Sequence, residues 1–274
     1  MTVPVRPAAT VMLVRDPVRD PLRSGIEVLL LRRHPDSVFV PDAHVFPGGA
    51  VDPDDASPAM AERIAGLDDE LASRRLGLGA GALAYWVAAV RETFEESGLL
   101  LAMTDTGDDP WSDPVRAERL EAARVEVDAG RRRFSELCHT EGLRLDLGQL
   151  RSFGRWITPD GAPRRYDTRF FIAPAPEGQA VTVDAREAVD AEWARPADAL
   201  ERFGRGEIDL ILPTERSLRA LAAHDDAAGL FAWLDTEPPE IDDHGGWRVG
   251  APADEAGPSP SVAPRAAPRP VGEP

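Results

Sequence analysis

The chain has 274 residues, enough for one domain with embellishments or two small ones. Its formal net charge is −17 and it contains no lysine, so every basic residue is an arginine. Such an acidic chain is a poor partner for a nucleic-acid polymer or an anionic membrane, and it would hold a phosphorylated small molecule only through metal or local arginine.

Residues 8–15 (Ala-Ala-Thr-Val-Met-Leu-Val-Arg) are β-branched and apolar and predict a strand. A loop with two prolines and a glycine follows over 16–25. Ile26–Arg33 reads as a second strand, apolar enough to be central. Ala43–Phe46 is a short strand leading into Pro47-Gly48-Gly49, which predicts a sharp turn whose backbone can approach a ligand closely. Ser57-Pro58 fits an N-cap and first helical position, and a helix is expected over 59–75 with Ile64, Leu67 and Leu71 on one side. Gly77, Gly79 and Gly81 then interrupt it.

The next helix organises the chain. Leu83, Val87, Val90 and Phe94 fall on one face at helical period, and Glu92, Glu95 and Glu96 share another. Gly98 fits the position just past a helix end, where the backbone turns left-handed. Three like charges on one patch repel, a cost that a hard divalent cation would relieve, because Mg²⁺ and Mn²⁺ prefer carboxylate oxygens. A solvated face of a glutamate-rich helix is the plainer alternative.

Leu99–Met103 reads as a strand, and residues 114–140 as one long charged helix carrying Leu120, Val125, Val127, Phe134 and Leu137. Leu150–Ile157 and Arg165–Ala173 read as a hairpin across Thr158-Pro159-Asp160-Gly161. Glu187–Trp193 is a further strand, followed by helices over 196–203 and 213–223. A short hairpin is expected over 240–250, and a Pro/Ala-rich tail without a core of its own beyond it. Cys138, the single cysteine, leaves no intrachain disulfide and reads as a buried small hydrophobe. Residues 1–15 lack the layout of a signal peptide, no apolar run is long enough to span a bilayer, and the final Val-Gly-Glu-Pro is not a peroxisomal address. The expected compartment is therefore the cytoplasm.

Val45-Phe46-Pro47-Gly48-Gly49 together with Arg91-Glu92-Thr93-Phe94-Glu95-Glu96-Ser97-Gly98-Leu99 resembles the signature of the Nudix hydrolases, Gly-x5-Glu-x7-Arg-Glu-U-x-Glu-Glu-x-Gly-U, where U is bulky and apolar. Gly49, Arg91, Glu92, Glu95, Glu96, Gly98 and Leu99 match. Asp55 stands where the family has Glu, and Thr93 where it has a bulky residue. Thirty-five residues (56–90) separate Asp55 from Arg91 where the family has seven, so 28 are inserted. An insertion at this place resembles the branch of peroxisomal coenzyme A diphosphatases and their bacterial relatives.

The resemblance implies an α+β fold, a mixed β-sheet sandwiched between helices with helical insertions, as a domain over 5–235 with a tail over 236–274. It implies a diphosphatase dependent on Mg²⁺ or Mn²⁺. Glu92 and Glu96 would be primary metal ligands, Glu95 a ligand directly or through water, and the Gly49 carbonyl a further one. Arg91 would orient the carboxylates. Glu187 is the candidate general base, with a surface residue at a strand end as the alternative. Arg164, Arg165 and Arg169 are candidates to grip a substrate phosphate. His44, beside the turn, is expected to be a packed or surface histidine, and Trp156, Tyr166 and Phe170 to be core residues. The first substrate reading is coenzyme A or acyl-CoA, cut to 3′,5′-ADP and an (acyl-)4′-phosphopantetheine. Alternatives are a nucleotide sugar, ADP-ribose or a dinucleotide, or a non-catalytic ligand-binding module on the same fold. The insertion over 56–82 is read as a lid or a homodimer contact.

Overall fold

The computed structural model describes residues 3–18, 25–37, 40–183 and 186–236, and the backbone of 240–241 and 247–248. In chain order its elements are β1 (Val5–Arg15), β2 (Glu27–Arg33), β3 (Ala43–Val45), β4 (Gly48–Ala50), α1 (Pro58–Ala61), β5 (Ile64–Ala65) and α2 (Asp69–Leu76). Then come α3 (Leu83–Ser97), β6 (Ala102–Thr104), α4 (Pro114–Asp128), α5 (Phe134–Thr140), β7 (Leu143–Asp146), β8 (Arg151–Ile157) and β9 (Arg165–Pro174). The chain continues through β10 (Ala188–Ala194), α6 (Pro196–Gly204), β11 (Asp209–Leu210), α7 (Leu212–Leu221), α8 (Ala227–Thr236), β12 (Glu240–Ile241) and β13 (Trp247–Arg248).

The main sheet has eight strands, in the order β11-β3-β2-β1-β9-β8, with β10 paired to β2 and β4 to β1. It is mixed, since β1 runs parallel to β9 over Val5↔Arg165 to Val14↔Pro174 and antiparallel to β2 and β4. Strand β1 is buried on both faces, which explains its unbroken apolar run. Side chains alternate across it. Ala9, Val11 and Leu13 enter one core with α3, and Met12 and Val14 enter another with α6, α7 and α8. The sheet therefore lies between two helical layers, as the sequence implied.

The edge of β1 opposite β9 is divided. Val14 and Arg15 pair with β2, whereas Ala8, Ala9 and Thr10 pair with β4. Pro47-Gly48-Gly49 thus differs from the expected turn. Gly48 and Gly49 form an extended strand, and neither has a positive φ. They are small because something passes close. A Cβ on Gly48 would lie 2.5 Å from the Ala9 carbonyl oxygen, and one on Gly49 2.6 Å from the Glu92 carboxylate.

Two expected helices are broken. The one over 59–75 is replaced by α1, β5 and α2, because Gly66 takes φ +77 and Asp68 caps a new start by accepting from Leu71 N–H at 2.8 Å. The long helix over 114–140 divides into α4 and α5 at Gly130, φ +65, where Arg131 and Arg132 both donate backbone N–H to the Glu126 carbonyl. The expected strand over 99–103 is shorter, only β6, though Leu99, Leu100 and Leu101 are buried. Strands β5, β6 and β7 make a second, three-stranded sheet that ties the insertion to the segments following α3 and α5. Helix α8 and strand β7 were not foreseen. The predicted hairpin near residue 240 is present as backbone pairing, Glu240↔Arg248, and the tail beyond residue 250 lies outside the described residues.

The insertion holds the start of α3. Ala82, at that helix's N-cap, gives no side-chain cap. Asp69 of α2 supplies it instead, accepting from Gly81 N–H at 2.9 Å and Leu83 N–H at 3.0 Å, while the Ser73 hydroxyl accepts from Ala82 N–H. At the other end Gly98 takes φ 73 and its N–H meets the Phe94 carbonyl, as expected. Among the described residues no helix is long and apolar enough to cross a membrane.

Candidate active site

Helix α3 rests on β1 and β4 with Val87, Val90 and Phe94 fully buried. That places the opposite flank, with Arg91, Glu92, Glu95 and Glu96, against the Gly48–Ala50 strand and the turn after it. Arg91 is the hub. Its Nε and Nη2 donate to the two carboxylate oxygens of Asp55 at 2.9 and 3.0 Å, and Nη2 also to the Ala50 carbonyl at 2.7 Å. Its Nη1 donates to Glu92 at 2.8 Å and Glu95 at 3.0 Å. Glu96 turns to Gly48, accepting its N–H at 2.8 Å. Asp55, which replaces the expected Glu, also accepts from Asp52 N–H at 2.7 Å, so it ties its own turn to the arginine.

Burial with too few counter-charges sets the electrostatics. Desolvation pushes Glu92 up to about 7 and Glu95 up to about 8, against the pull of Arg91 and with help from neighbouring carboxylates. Glu96 rises well above the usual carboxylate range for the same reason, with Glu92 and Glu187 adding repulsion. Burial also raises Asp55. Arg91 is opposed by its own burial, but Glu92, Asp55 and Glu95 outweigh that and raise its pKa.

A cavity of ≈ 390 Å³ opens beside this group, within the range of small-molecule sites. Its walls include Arg91, Glu92 and Glu95 from α3, Asp52 and Asp54 from the turn after β4, Asp128 at the end of α4, Arg132 and Arg133 from the α4–α5 turn, and Glu187. Glu187 is thus brought to the cluster as expected, on the chain just before β10, exposed, with its carbonyl accepting from His34 N–H.

The three candidate phosphate arginines lie elsewhere, and none lines the cavity. Arg164 is exposed. Arg165 closes the β8–β9 hairpin, donating to the Thr158 carbonyl at 3.0 Å and pairing with Asp160 at 2.7 Å. Arg169 is 3% exposed and donates to the Leu76 carbonyl at 3.0 Å. His44 is buried, 3.5 Å from Glu192, with its pKa lowered by burial, a packed histidine as expected. Phe170 is core, and Trp156 and Tyr166 are half-buried. Cys138 is buried and its thiol is pushed up to about 12, so it is unreactive.

Sequence reading missed Asp54, which reaches the cavity from the turn after β4, and Asp128, Arg132 and Arg133, which reach it from the end of α4 and the α4–α5 turn. The run Arg131-Arg132-Arg133 was the available signal, since no other three consecutive arginines occur in the chain.

The donors here are hard oxygens in surplus negative charge, the chemistry that suits a divalent cation. Sharing a helix face is not convergence, however. Among the described residues no group of three or more His, Cys, Asp or Glu side chains is arranged to hold a metal ion. Arg91 holds Glu92 and Glu95, and Gly48 holds Glu96, so a cation would have to compete with these contacts.

The family profile described as the NUDT19 Nudix domain matches residues 78–221. Human acyl-coenzyme A diphosphatase NUDT19 is 32% identical over 237 residues, taking in 75% of this chain and 63% of the human one. The chicken (Gallus gallus) acyl-coenzyme A diphosphatase NUDT19 is 34% identical over 232 residues, 68% of this chain and 58% of that one. The chain thus spans about three fifths of the length of these relatives. Among solved structures, a Nudix hydrolase from Alicyclobacillus acidocaldarius superposes with a TM-score of 0.66 at 32% identity, covering 84% of this chain and 96% of that one.

Proposed function

Since the chain belongs to the NUDT19 Nudix domain family, we propose that it is a divalent-metal-dependent diphosphatase that cleaves coenzyme A or acyl-CoA to 3′,5′-ADP and (acyl-)4′-phosphopantetheine. One observation carries the reaction class: Glu92, Glu95 and Glu96 are gathered on the buried flank of α3, where Arg91 pairs with the carboxylates of Glu92 and Glu95 and the Gly48 N–H meets that of Glu96. The substrate class is taken from the names of the relatives above, which the chain covers in part.

Glu92, Glu95, Glu96 and the Gly49 carbonyl would hold Mg²⁺ or Mn²⁺. When bound, the metal neutralises phosphate charge and makes water a stronger nucleophile at neutral pH. The chain's own residues do the rest. Arg91 fixes the rotamers of Glu92 and Glu95 and is itself fixed by Asp55, so the ligand set is held in place before substrate arrives. Gly49 leaves room for Glu92, which any side chain there would displace. Glu187, exposed at the cavity wall, accepts the proton of the attacking water. The water oxygen bonds to a phosphorus of the diphosphate, and the bridging oxygen leaves with the other phosphate.

The test is turnover with Mg²⁺ or Mn²⁺ over CoA, acyl-CoA, ADP-ribose, NADH and dinucleoside polyphosphates, in wild type and Glu96→Gln. Hydrolysis of CoA or acyl-CoA with the highest kcat/KM, falling at least about a hundredfold in Glu96→Gln with an unchanged circular dichroism spectrum, is expected. Faster turnover of ADP-ribose or a dinucleotide would overturn the substrate. Near-normal turnover by Glu96→Gln would overturn the site.

A further inference from the structure

The cavity beside α3 is acidic on most of its walls, yet its intended occupant under the reading above is an anion. Most of its charged side chains are already engaged. Asp52 accepts from Asp54 N–H, and Asp54 accepts both the N–H and the hydroxyl of Ser135, at 2.9 and 2.7 Å. Asp128 pairs with Arg186. Glu92 and Glu95 are held by Arg91, whose guanidinium is fully occupied, and Arg133 lies on Glu136 at 2.5 Å. Arg132 differs. It is half-buried at the same wall and, among the described residues, makes no side-chain hydrogen bond or ion pair. Glu141 feels its charge, but Glu141 is already gripped by Arg119 through both carboxylate oxygens.

Arg132 is also well placed relative to the glutamates. Its backbone N–H is fixed on the Glu126 carbonyl at 3.2 Å, in the turn that Gly130 makes possible. Two residues on, Phe134 is buried with its ring 6.1 Å from that of Phe94, the residue of α3 that precedes Glu95. Arg124 of α4 donates to the Glu95 carbonyl at 2.9 Å. The turn is thus braced against the helix that carries the carboxylates. A guanidinium group offers a rigid fork of donors that matches two phosphate oxygens at once.

We propose that Arg132, which lines the same cavity as Glu92 and Glu95, is the side chain that binds the diphosphate of the substrate and sets its position over the carboxylate cluster. This rests on the diphosphatase reading for its choice of ligand, and assigns to the α4–α5 turn a substrate-binding role that residues of the β8–β9 hairpin do not fill. A consequence is that binding strength and metal requirement reside on different elements.

The probe is methylenediphosphonate, a diphosphate that water does not cleave, titrated calorimetrically with Mg²⁺ into the full chain and into Arg132→Gln, Arg132→Lys and Arg131→Gln. Arg131 is exposed and lies outside the cavity lining, so it serves as the control. Arg132→Gln is expected to weaken binding at least about tenfold, the scale of one charge-assisted contact. Arg132→Lys is expected to lose less, and Arg131→Gln to bind as wild type. Melting temperatures of all three should match wild type. Should Arg132→Gln fail to fold, Arg132→Lys decides, with weakening of at least about twofold expected because it loses the fork. Binding to Arg132→Gln within twofold of wild type, equal loss in Arg131→Gln, or no binding to wild type would each overturn the assignment. A wild type that binds the diphosphonate through Arg132 but hydrolyses none of the diphosphates offered would sink the enzymatic reading and leave this one standing.

Discussion

Gly48 and Gly49 are adjacent and extended, yet they answer to different neighbours. A Cβ on Gly48 would meet backbone, 2.5 Å from the Ala9 oxygen and 2.6 Å from the Thr10 Cα, and backbone in a strand pair has little room to move. The three atoms nearest a Cβ on Gly49 all belong to the end of the Glu92 side chain, from 2.6 Å, which can swing away. Gly48→Ala is therefore expected to cost about 1–3 kcal/mol, as overpacking does, with a lower Tm. Gly49→Ala is expected to keep its Tm and lose about a hundredfold in kcat, since an ångström of displacement at a reacting centre has that effect. Thermal unfolding and turnover of the two variants separate these outcomes. A Gly49→Ala protein with normal kcat would show that Glu92 is not held against β4 for function.

At the scale of elements, the segment over 56–82 acts inside the chain. Asp69 lies outside α3 and is scarcely buried, but it accepts two N–H groups from the start of that helix, and these donors hold its carboxyl below the usual value. Removing an N-cap costs about 1 kcal/mol, so Asp69→Ala should lower Tm by about 2–4 °C in a domain of this size. Its sign follows from linkage. A lowered folded-state pKa gives stability that is present above the unfolded value and lost as pH falls through the folded one, so wild type and variant should converge in acid. Melting curves at pH about 7 and about 3 test this, and equal Tm values at neutral pH would show that α3 needs no cap from the insertion. The breaks at Gly66 and Gly130 belong to the same scale. Each lies where hydrophobic periodicity would have continued a helix, Gly66 just after β5 and Gly130 just after α4, beside a segment that joins the β5-β7-β6 sheet or faces the cavity.

For the whole molecule, the carboxylate cluster makes stability depend on pH in the opposite sense to Asp69. Glu92 and Glu95 rise to about 7 and 8 from an ordinary 4.5. The folded state therefore binds their protons more tightly than the unfolded state. The contribution is fully present below the unfolded value and is lost as pH rises through the folded values. Metal-free protein should show a falling Tm from about pH 5 to about pH 8. Mg²⁺, which favours the charged carboxylates, should raise Tm most at the alkaline end. Glu96 and Asp55 are raised by burial too and act in the same sense, whereas Asp69, Glu136, Glu141, Glu207 and Asp235 have lowered values and act in the opposite sense, below this window. Differential scanning fluorimetry across that range, with and without Mg²⁺, is the measurement. A flat profile, or a Mg²⁺ effect no larger at pH 8 than at pH 5, would show that these groups do not carry a cation.

The sequence by itself determined what local chemistry dictates. The apolar spacing of Leu83, Val87, Val90 and Phe94 and the glycine at 98 specify α3, and the same period specifies that Glu92, Glu95 and Glu96 share its other side. The alternation and apolar runs of β1, β2, β8 and β9 specify strands, and the Gly49-to-Leu99 pattern specifies the family. Tertiary structure alone decided the rest, because it depends on groups distant in the chain. Arg91 could be seen to precede Glu92, but not to bind Asp55, 36 residues earlier. The two glycines at 48 and 49 could be seen to matter, but their extended backbone and their separate neighbours come from pairing with β1. The parallel pairing of β1 with β9 is non-local, and a hairpin of β8 with β9 gives no hint of it. Arginine identity likewise carried no information in a chain without lysine. Arg165 and Arg169 are spent on backbone carbonyls, whereas Arg132 reaches the cavity, and only the packing of α5 against α3 makes that difference.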